Sequence, residues 1–351
     1  MRALTYAAFG APLDVVEVPE PVPPPGGAVV RVLASGLCRS DWHGWLGHDP
    51  DIAVFPHVPG HELAGVVESV GEGVDRAWVG RRVTSPFVMA CGRCDVCRAG
   101  AGQVCPHQRQ PGFTDPGSFA ELVVVHAAAT NLVGLPDELD VGAAAGLGCR
   151  VATAYRAVVG RASVRAGETV VVLGCGGVGL AAVEVARSRG ARVCAVDVSA
   201  GSLERALYLG AEQVVDARVG ADAVVAVVTE WSAGGAAVSV DALGSPETCR
   251  TGILSLGRRG RHVQVGLLPS GTGPVDVPMD RVIGWELDVL GSHGMAAADY
   301  PPMLEDVVAG RLVLGDLLAP GEPIGLAEAG AALSAMGTTA SRGIVLVDPS
   351  R

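Results

Sequence analysis

The chain has 351 residues, of which 49% are hydrophobic and 49 are glycine, and its formal net charge is −11. This length suggests two domains with separate cores, and the composition is typical of a compact α/β enzyme. The negative charge argues against nucleic acid or an anionic membrane surface as a partner. The sequence shows neither a secretory signal peptide nor a long uncharged apolar run, so we expect a cytoplasmic protein without membrane spans.

The first third of the chain has the pattern of a β-barrel or sandwich. Strand-like runs at residues 29–33, 64–71, 79–83 and 117–125 are separated by glycine and proline, as in all-β domains. The proline-rich segment 18–27 predicts an extended connector, because proline fixes φ and removes a hydrogen-bond donor.

Three candidate metal ligands lie far apart along the chain: Cys38, directly after the first strand-like runs, then His61 and Cys149. Two thiolates and an imidazole suit zinc, and three protein ligands leave the fourth tetrahedral position open for water or substrate. Each residue taken singly has a simpler interpretation, as a buried thiol or an ordinary polar histidine.

Four further cysteines form a short lobe with the pattern C-x2-C-x2-C-x7-C: Cys91, Cys94, Cys97 and Cys105. In a cytosolic chain, cysteines are better explained as metal ligands or buried thiols than as disulfides. The spacing predicts a tetrahedral zinc site, whereas iron–sulfur clusters use other spacings and are the weaker alternative. Because the protein would fill all four positions, this zinc is predicted to be structural.

The second half of the chain has the pattern of a dinucleotide-binding domain. A β-branched run at 169–173 predicts a strand buried on both faces, and G-x-G-x-x-G follows it, before a predicted helix from Leu180 to about Arg189. Asp197 ends the next strand-like run, 23 positions after the first glycine. This is the context in which a pyrophosphate lies at a helix N-terminus. An acidic Asp197 can bind both ribose hydroxyls and would repel a 2′-phosphate, which favours NAD over NADP.

Later runs at 238–241, 261–266 and 286–291 fit further strands of a doubly wound parallel sheet. A helix is predicted at about 300–310. The tail at 343–348 predicts a strand that returns to the first domain.

These motifs resemble the zinc-dependent alcohol dehydrogenases of the medium-chain dehydrogenase/reductase superfamily. The resemblance rests on residues 36–41, 60–62 and 174–179, on the cysteine lobe and on Cys149. It implies an α/β and β architecture with two domains. These are a GroES-like β-barrel catalytic domain, residues 1–148 and 295–351 with the zinc lobe at about 88–108, and a Rossmann NAD-binding domain, residues 149–294.

The resemblance also implies roles for individual residues. Cys38, His61 and Cys149 would bind the catalytic zinc, and the four lobe cysteines the structural zinc. The catalytic residues would be Asp41, which orients the histidine ligand, Glu62 beside the metal, and the proton relay Ser40 and His43. The cofactor-binding residues would be Arg39, Thr153, Gly174, Gly176, Gly177, Val178, Gly179, Asp197 and Arg342. Phe87 and Trp42 or Trp45 are expected to line the substrate pocket.

The implied activity is the interconversion of an alcohol and its aldehyde or ketone by hydride transfer to NAD, in a homodimer or homotetramer with two zinc ions per subunit. The alternative is a reductase or polyol-type dehydrogenase that acts on a larger secondary alcohol or a specialised-metabolite carbonyl. Polyol-type relatives commonly differ at the position of Cys149, so a simple alcohol is preferred. A zinc-free reductase or a non-catalytic protein is disfavoured because the ligands and Ser40 are present. Three cysteines are expected only to be small buried residues: Cys175, Cys194 and Cys249.

Overall fold

The computed structural model describes residues 1–268, 274–337 and 343–351. Up to residue 145 the elements are β1 (Arg2–Thr5), β2 (Asp14–Glu17), β3 (Ala28–Leu37), α1 (Arg39–Trp45), β4 (Glu62–Val70), β5 (Arg82–Thr84), α2 (Asp95–Arg98), β6 (Leu122–Val125), α3 (Ala128–Asn131), β7 (Val133–Gly134) and α4 (Val141–Ala145). Next come α5 (Arg150–Tyr155), β8 (Thr169–Leu173), α6 (Gly177–Ser188), β9 (Arg192–Asp197), α7 (Ala200–Tyr208), β10 (Gln213–Asp216), α8 (Ala221–Trp231), β11 (Ala236–Asp241), α9 (Pro246–Leu254), β12 (Leu256–Gln264), α10 (Met279–Trp285) and β13 (Asp288–Gly291). The last elements are α11 (Tyr300–Val308), α12 (Leu326–Ala335) and β14 (Val345–Val347).

The first six-stranded sheet is antiparallel and has the order β14-β3-β4-β5-β7, with β6 also paired to β3. Its strands bury a cluster that includes Val30, Leu63, Val67, Val83 and Val123. The predicted all-β character of the first third is therefore confirmed. The tail strand β14 pairs with β3 of this sheet, in agreement with the predicted return of the tail to the first part of the chain.

Two strands of this sheet are shorter than the sequence pattern predicts. The run 79–83 contributes only its end, because Gly80 has a positive φ and a 3-10 turn (Arg76–Trp78) precedes it. The run 117–125 becomes a strand only at Leu122. A side chain at Gly117 would overlap the backbone of Pro59 and Gly60, and the backbone N–H groups of residues 117–119 donate to carbonyls of residues 58–60.

The second six-stranded sheet is parallel throughout and has the order β10-β9-β8-β11-β12-β13. This is the strand order of a doubly wound dinucleotide-binding fold. Four of the five residues of β8 are buried, as expected for a β-branched strand covered by helices on both faces. The strand order reverses between β8 and β11, and ligands bind in such folds at the carboxyl ends of the strands beside this point.

Helix α6 begins three residues earlier than predicted, at Gly177 instead of Leu180. Glycine is a poor helix former, so propensity places the start after the last glycine of the motif. A π-helical turn (Arg156–Arg161) continues helix α5. Within the described ranges, no helix has the length and apolar character required to cross a bilayer.

Candidate active site and metal centres

The structure brings Cys38, His61 and Cys149 together from three separate segments. Cys38 lies between β3 and α1, His61 precedes β4, and Cys149 precedes α5. Their ligand atoms and one carboxylate oxygen of Glu62 all lie within 4.8 Å of one another. Each of these side chains is at most 8% exposed. A buried group of two thiols and an imidazole has the donor chemistry of a zinc site.

Asp41 holds the histidine of this group in a fixed orientation. Its Oδ1 accepts hydrogen bonds from Nδ1 of His61 at 2.8 Å and from the backbone N–H of Gly60 at 3.0 Å. Its Oδ2 accepts one from the backbone N–H of Cys38 at 3.0 Å. With Nδ1 of His61 donating to the carboxylate, the neutral ring carries its lone pair on Nε2, which has no hydrogen-bond partner in the described part of the chain. A buried nitrogen without a partner is costly, and a metal ion bound to Nε2 removes that cost.

The two thiols compete for one negative charge. The hydrogen bond from Cys149 lowers the pKa of Cys38 well below its usual value, with further help from nearby Arg150 and His61. The same hydrogen bond and burial raise the pKa of Cys149. Metal-bound cysteine is a thiolate, and a divalent cation stabilises two such charges side by side. The donor set therefore fits zinc.

Glu62, predicted to lie beside the metal, is bound to a residue that the sequence analysis missed. Both oxygens of this fully buried carboxylate accept hydrogen bonds from Arg150: Oε1 from the backbone N–H at 3.0 Å and from Nε at 2.8 Å, and Oε2 from Nε at 2.9 Å. Nη2 of the arginine also contacts Oε2. Burial raises the pKa of Glu62, and Arg150 opposes this. The only sequence signal for Arg150 is a single charge in the otherwise small and apolar run 141–155.

The predicted proton relay lies on α1. Oγ of Ser40 is 3.9 Å from Sγ of Cys38. His43, one turn further along, is half-buried, and its Nδ1 lies 2.9 Å from Nδ1 of the exposed His48. Burial and, to a lesser degree, the neighbouring His48 and Arg39 lower the pKa of His43. His43 is therefore neutral at physiological pH, which is the form that accepts a proton.

Aromatic rings flank the histidine ligand. The ring centre of Phe87 lies 6.0 Å from that of His61, and the centre of Phe113, which was not predicted, lies 5.2 Å away. Trp42 and Trp45 pack partly against a separate apolar cluster that includes residues of α12. The site next to the histidine is thus bordered by the two phenylalanines.

The four lobe cysteines also converge. Their sulfur–sulfur distances include 3.4 Å for Cys94–Cys97, 3.8 Å for Cys94–Cys105 and 3.9 Å for Cys91–Cys97, and none forms a disulfide. Four sulfurs at about 2.3 Å from a tetrahedral zinc would lie about 3.8 Å apart, so the spacing fits.

The ionisation of the lobe thiols also fits a bound metal ion. Backbone N–H groups of Arg93 and Cys94 lower the pKa of Cys91 to about 6. Desolvation and neighbouring sulfurs raise that of Cys97 to about 12. A bound cation would stabilise the thiolate form of all four cysteines at neutral pH.

Three of the four glycines in the turn after β8 have different roles. Gly174 has a φ of +87°, which side chains rarely adopt. No atom lies within 4 Å of the position that a Cβ at Gly176 would take, so the space over the turn is open. A Cβ at Gly179 would overlap the carbonyl oxygen of Gly174, so only glycine lets α6 pack onto the strand end. The first turn of α6 can therefore receive a pyrophosphate.

The other predicted cofactor-binding residues lie around this turn. Asp197 ends β9, and its carboxylate accepts hydrogen bonds from the backbone N–H groups of Cys175 at 2.6 Å and Ser199 at 2.8 Å. Thr153, in α5, is buried, and its Oγ1 has no partner among the residues described. Val178 is partly exposed on the first turn of α6. Arg39 is exposed and its guanidinium lies 5.2 Å from the ring centre of Trp42. Arg342 lies outside the described residues.

Comparison with known proteins agrees with this architecture. Residues 24–137 match the family model described as the alcohol dehydrogenase GroES-like domain, and residues 177–309 match the one described as zinc-binding dehydrogenase. An alcohol dehydrogenase of Geobacillus stearothermophilus is 34% identical over 313 residues, which cover 89% of this chain and 90% of the relative.

Two solved structures have the same fold. An alcohol dehydrogenase of Escherichia coli CFT073 in complex with NADH is 25% identical, with a TM-score of 0.87 and 99% of each chain covered. A protein of Sinorhizobium meliloti 1021 solved with NADP is 29% identical, with a TM-score of 0.86 and 99% of each chain covered. The chain belongs to the zinc-dependent alcohol dehydrogenase family of the medium-chain dehydrogenase/reductase superfamily.

Proposed function

We propose that this protein interconverts an alcohol and its aldehyde or ketone, with zinc at Cys38, His61 and Cys149 and with NAD as the hydride acceptor. The observation that carries the proposal is Nε2 of His61. This atom is buried and lacks a hydrogen-bond partner within the described residues. It lies in one group with the thiols of Cys38 and Cys149, which compete for one negative charge. Among the described residues this group offers two thiolates and one imidazole, which leaves a position for substrate oxygen, as in catalytic zinc sites.

A zinc ion bound by these ligands would supply Lewis-acid polarisation of the substrate oxygen. Residues of the chain orient the histidine ligand and transfer the proton. Asp41 keeps Nδ1 of His61 protonated and its ring fixed. Ser40, next to Cys38, is placed to take the proton of a substrate hydroxyl. His43 and the exposed His48 lead this proton to solvent.

The cofactor site is proposed to be the turn at Gly174, Gly176, Gly177, Val178 and Gly179. The open space over Gly176 and the N-terminus of α6 support pyrophosphate binding there. Asp197 would hold the adenosine ribose and Thr153 the nicotinamide end, with Arg39 and Arg342 on the pyrophosphate. NAD is preferred because a 2′-phosphate would meet the carboxylate of Asp197.

The substrate is a small molecule with a mainly apolar body. Phe87 and Phe113 border the histidine ligand, and a wall of this kind favours a hydrocarbon group over the several hydroxyls of a polyol. Together with the thiolate at Cys149, this supports a simple primary alcohol or aldehyde.

We further infer a structural zinc at the four lobe cysteines, assembly as a homodimer or homotetramer, and action in the cytoplasm. The sulfur spacing supports the structural zinc. None of the nine cysteines forms a disulfide, which supports a reducing compartment. The two domains are proposed to be residues 1–148 with 295–351, and residues 149–294.

The test is to measure zinc per chain together with NAD- and NADP-linked oxidation of primary, secondary, benzylic and polyol alcohols. We expect two zinc ions, faster turnover with NAD, and a preference for primary or benzylic alcohols. Cys38→Ala should retain one zinc and lose turnover, whereas Cys249→Ala, a buried cysteine outside both clusters, should retain both zinc ions and turnover. One zinc per chain with no turnover on any alcohol or aldehyde would refute the proposal.

A further inference from the structure

We propose that Arg150 is a positioning residue that keeps Glu62 from binding the metal and joins the zinc site to the dinucleotide turn, so that cofactor and catalytic zinc each strengthen the binding of the other. The inference rests on the function proposed above for both sites. It is carried by the position of this buried arginine between them.

Arg150 first controls the charge beside the metal ligands. Its guanidinium and its backbone N–H bind both oxygens of Glu62, and the two side chains are at most 5% exposed. One of these oxygens lies within 4.8 Å of the ligand atoms of Cys38, His61 and Cys149. Without the arginine, a carboxylate would stand unpaired beside two thiolates and become a fourth ligand. The arginine therefore keeps that position free for substrate.

Two glycines leave space for the ion pair of Arg150 and Glu62, one on each side of it. A Cβ at Gly36, in β3, would overlap Oε2 of Glu62 and would lie 2.7 Å from Nη2 of Arg150. A Cβ at Gly177, the first residue of α6, would overlap Cδ of Arg150 and would lie 3.2 Å from its Nη1. The arginine thus spans from the barrel strand that leads to Cys38 to the turn proposed to hold the pyrophosphate.

The same helix connects the two sites through the backbone. Cys149 directly precedes α5, Arg150 begins it, and Thr153, whose N–H donates to the carbonyl of Cys149 at 2.8 Å, lies one turn later. A cofactor bound at the first turn of α6 therefore restricts the movement of this turn and of the Arg150 side chain packed against it. Arg150 in turn restricts Glu62, which lies beside the metal ligands. By thermodynamic linkage, zinc must tighten cofactor binding by the factor by which cofactor tightens zinc binding.

The experiment measures this coupling without turnover. Zinc retention by the full-length protein is titrated against a chelator with and without saturating NADH, and NADH binding is followed by its fluorescence with zinc present and removed. We expect NADH to raise the affinity for the catalytic zinc about fivefold or more. Zinc release from the lobe cysteines, which lie outside this connection, should not respond to NADH.

The test variant is Arg150→Met/Glu62→Gln, which removes both charges and retains similar volume, because removal of one partner of a buried pair is strongly destabilising while replacement of both is tolerated. We expect it to bind zinc and NADH with the coupling reduced to less than about twofold. The control is Arg31→Met/Glu68→Gln, an exposed pair with a 2.7 Å contact that joins β3 to β4, the strand that also carries Glu62. It should retain the full coupling.

Each result bears on the proposal. Full coupling in the Arg150→Met/Glu62→Gln variant, or no coupling in the wild type although it binds both zinc and NADH, would overturn the role of Arg150 while the proposed function stands. A wild-type chain that binds no NADH, or only the lobe zinc, would overturn the proposed function and this inference with it.

Discussion

His43 and His48 face each other through their Nδ1 atoms, 2.9 Å apart, with His43 half-buried on α1 and His48 in solvent. One nitrogen of such a pair donates and the other accepts. A proton that arrives at His43 therefore has a direct exit. The contact between the two histidines connects the proposed proton relay to solvent.

Replacement of His43 by glutamine is expected to lower the turnover of alcohol oxidation by about a hundredfold at neutral pH, near the lower end of the usual contribution of a general base. Burial lowers the pKa of His43, so its neutral form persists into more acidic solution than that of an ordinary histidine. Wild-type turnover should fall only when the pH drops through this lowered pKa, and His43→Gln should lose that fall. The measurement is turnover against pH, with and without imidazole buffer. His48→Gln, which retains the base, should have a smaller effect, and an unchanged profile in His43→Gln would exclude the relay.

Asp41→Asn is expected to weaken zinc binding at the catalytic site by about 10–100-fold. The carboxylate receives three N–H donors, from Cys38, Gly60 and His61. Asparagine offers them one oxygen and one further donor group, so at least one of these bonds is lost. Zinc content after dialysis against a chelator checks this. Asp75→Asn, at an exposed cap of a 3-10 turn, should behave as wild type. Equal zinc retention in both variants would show that the carboxylate does not orient the ligand.

Cys97→Ser is expected to reduce zinc content from two ions per chain to one while the catalytic site stays loaded. The lobe has little apolar sequence to order it, so protease should cleave it faster. Loss of even about 2 kcal/mol would lower the melting temperature by several degrees. Metal analysis, limited proteolysis and thermal unfolding provide the readouts, and Cys249→Ala is the control. A lobe that resists protease without its zinc would contradict a structural role.

Asp197→Asn is expected to shift the ratio of kcat/KM for NAD over NADP by about tenfold to a hundredfold towards NADP. It removes the charge that we propose faces the 2′ position, and such a charge is worth roughly 1–3 kcal/mol at partly solvated sites. The amide oxygen can still accept the hydrogen bond of the Cys175 N–H, so the turn should persist. Asp216→Asn is the matched control, since Asp216 is the register neighbour of Asp197 on β10. A ratio that does not move would assign the choice of cofactor to other residues.

The sequence predicted the parts of this protein whose signals are local or chemically distinctive. A thiol and imidazole set such as Cys38, His61 and Cys149 stands out by residue type even when its members are far apart. The second sheet was predictable because β8, the glycine turn and α6 follow one another directly. The end of the tail was predicted as a strand, and β14 pairs with β3 as expected.

What could not be predicted depends on contacts between distant residues. Glu62 and Arg150 are 88 positions apart, and nothing near either residue signals the other. The fit of Gly179 against Gly174 explains why α6 starts before the point that helix propensity indicates. Phe113 was missed because it comes from a loop, and only tertiary packing places its ring next to His61.

The pairing of β14 with β3 places Val345 opposite Leu37, immediately before Cys38. The earliest-synthesised ligand of the zinc site is thus supported by a strand that follows all strands of the parallel sheet in the chain. During translation the parallel sheet can form while β3 still lacks this neighbour. The strands beside Cys38 are therefore complete only once β14 has been made, after every strand of the dinucleotide-binding sheet.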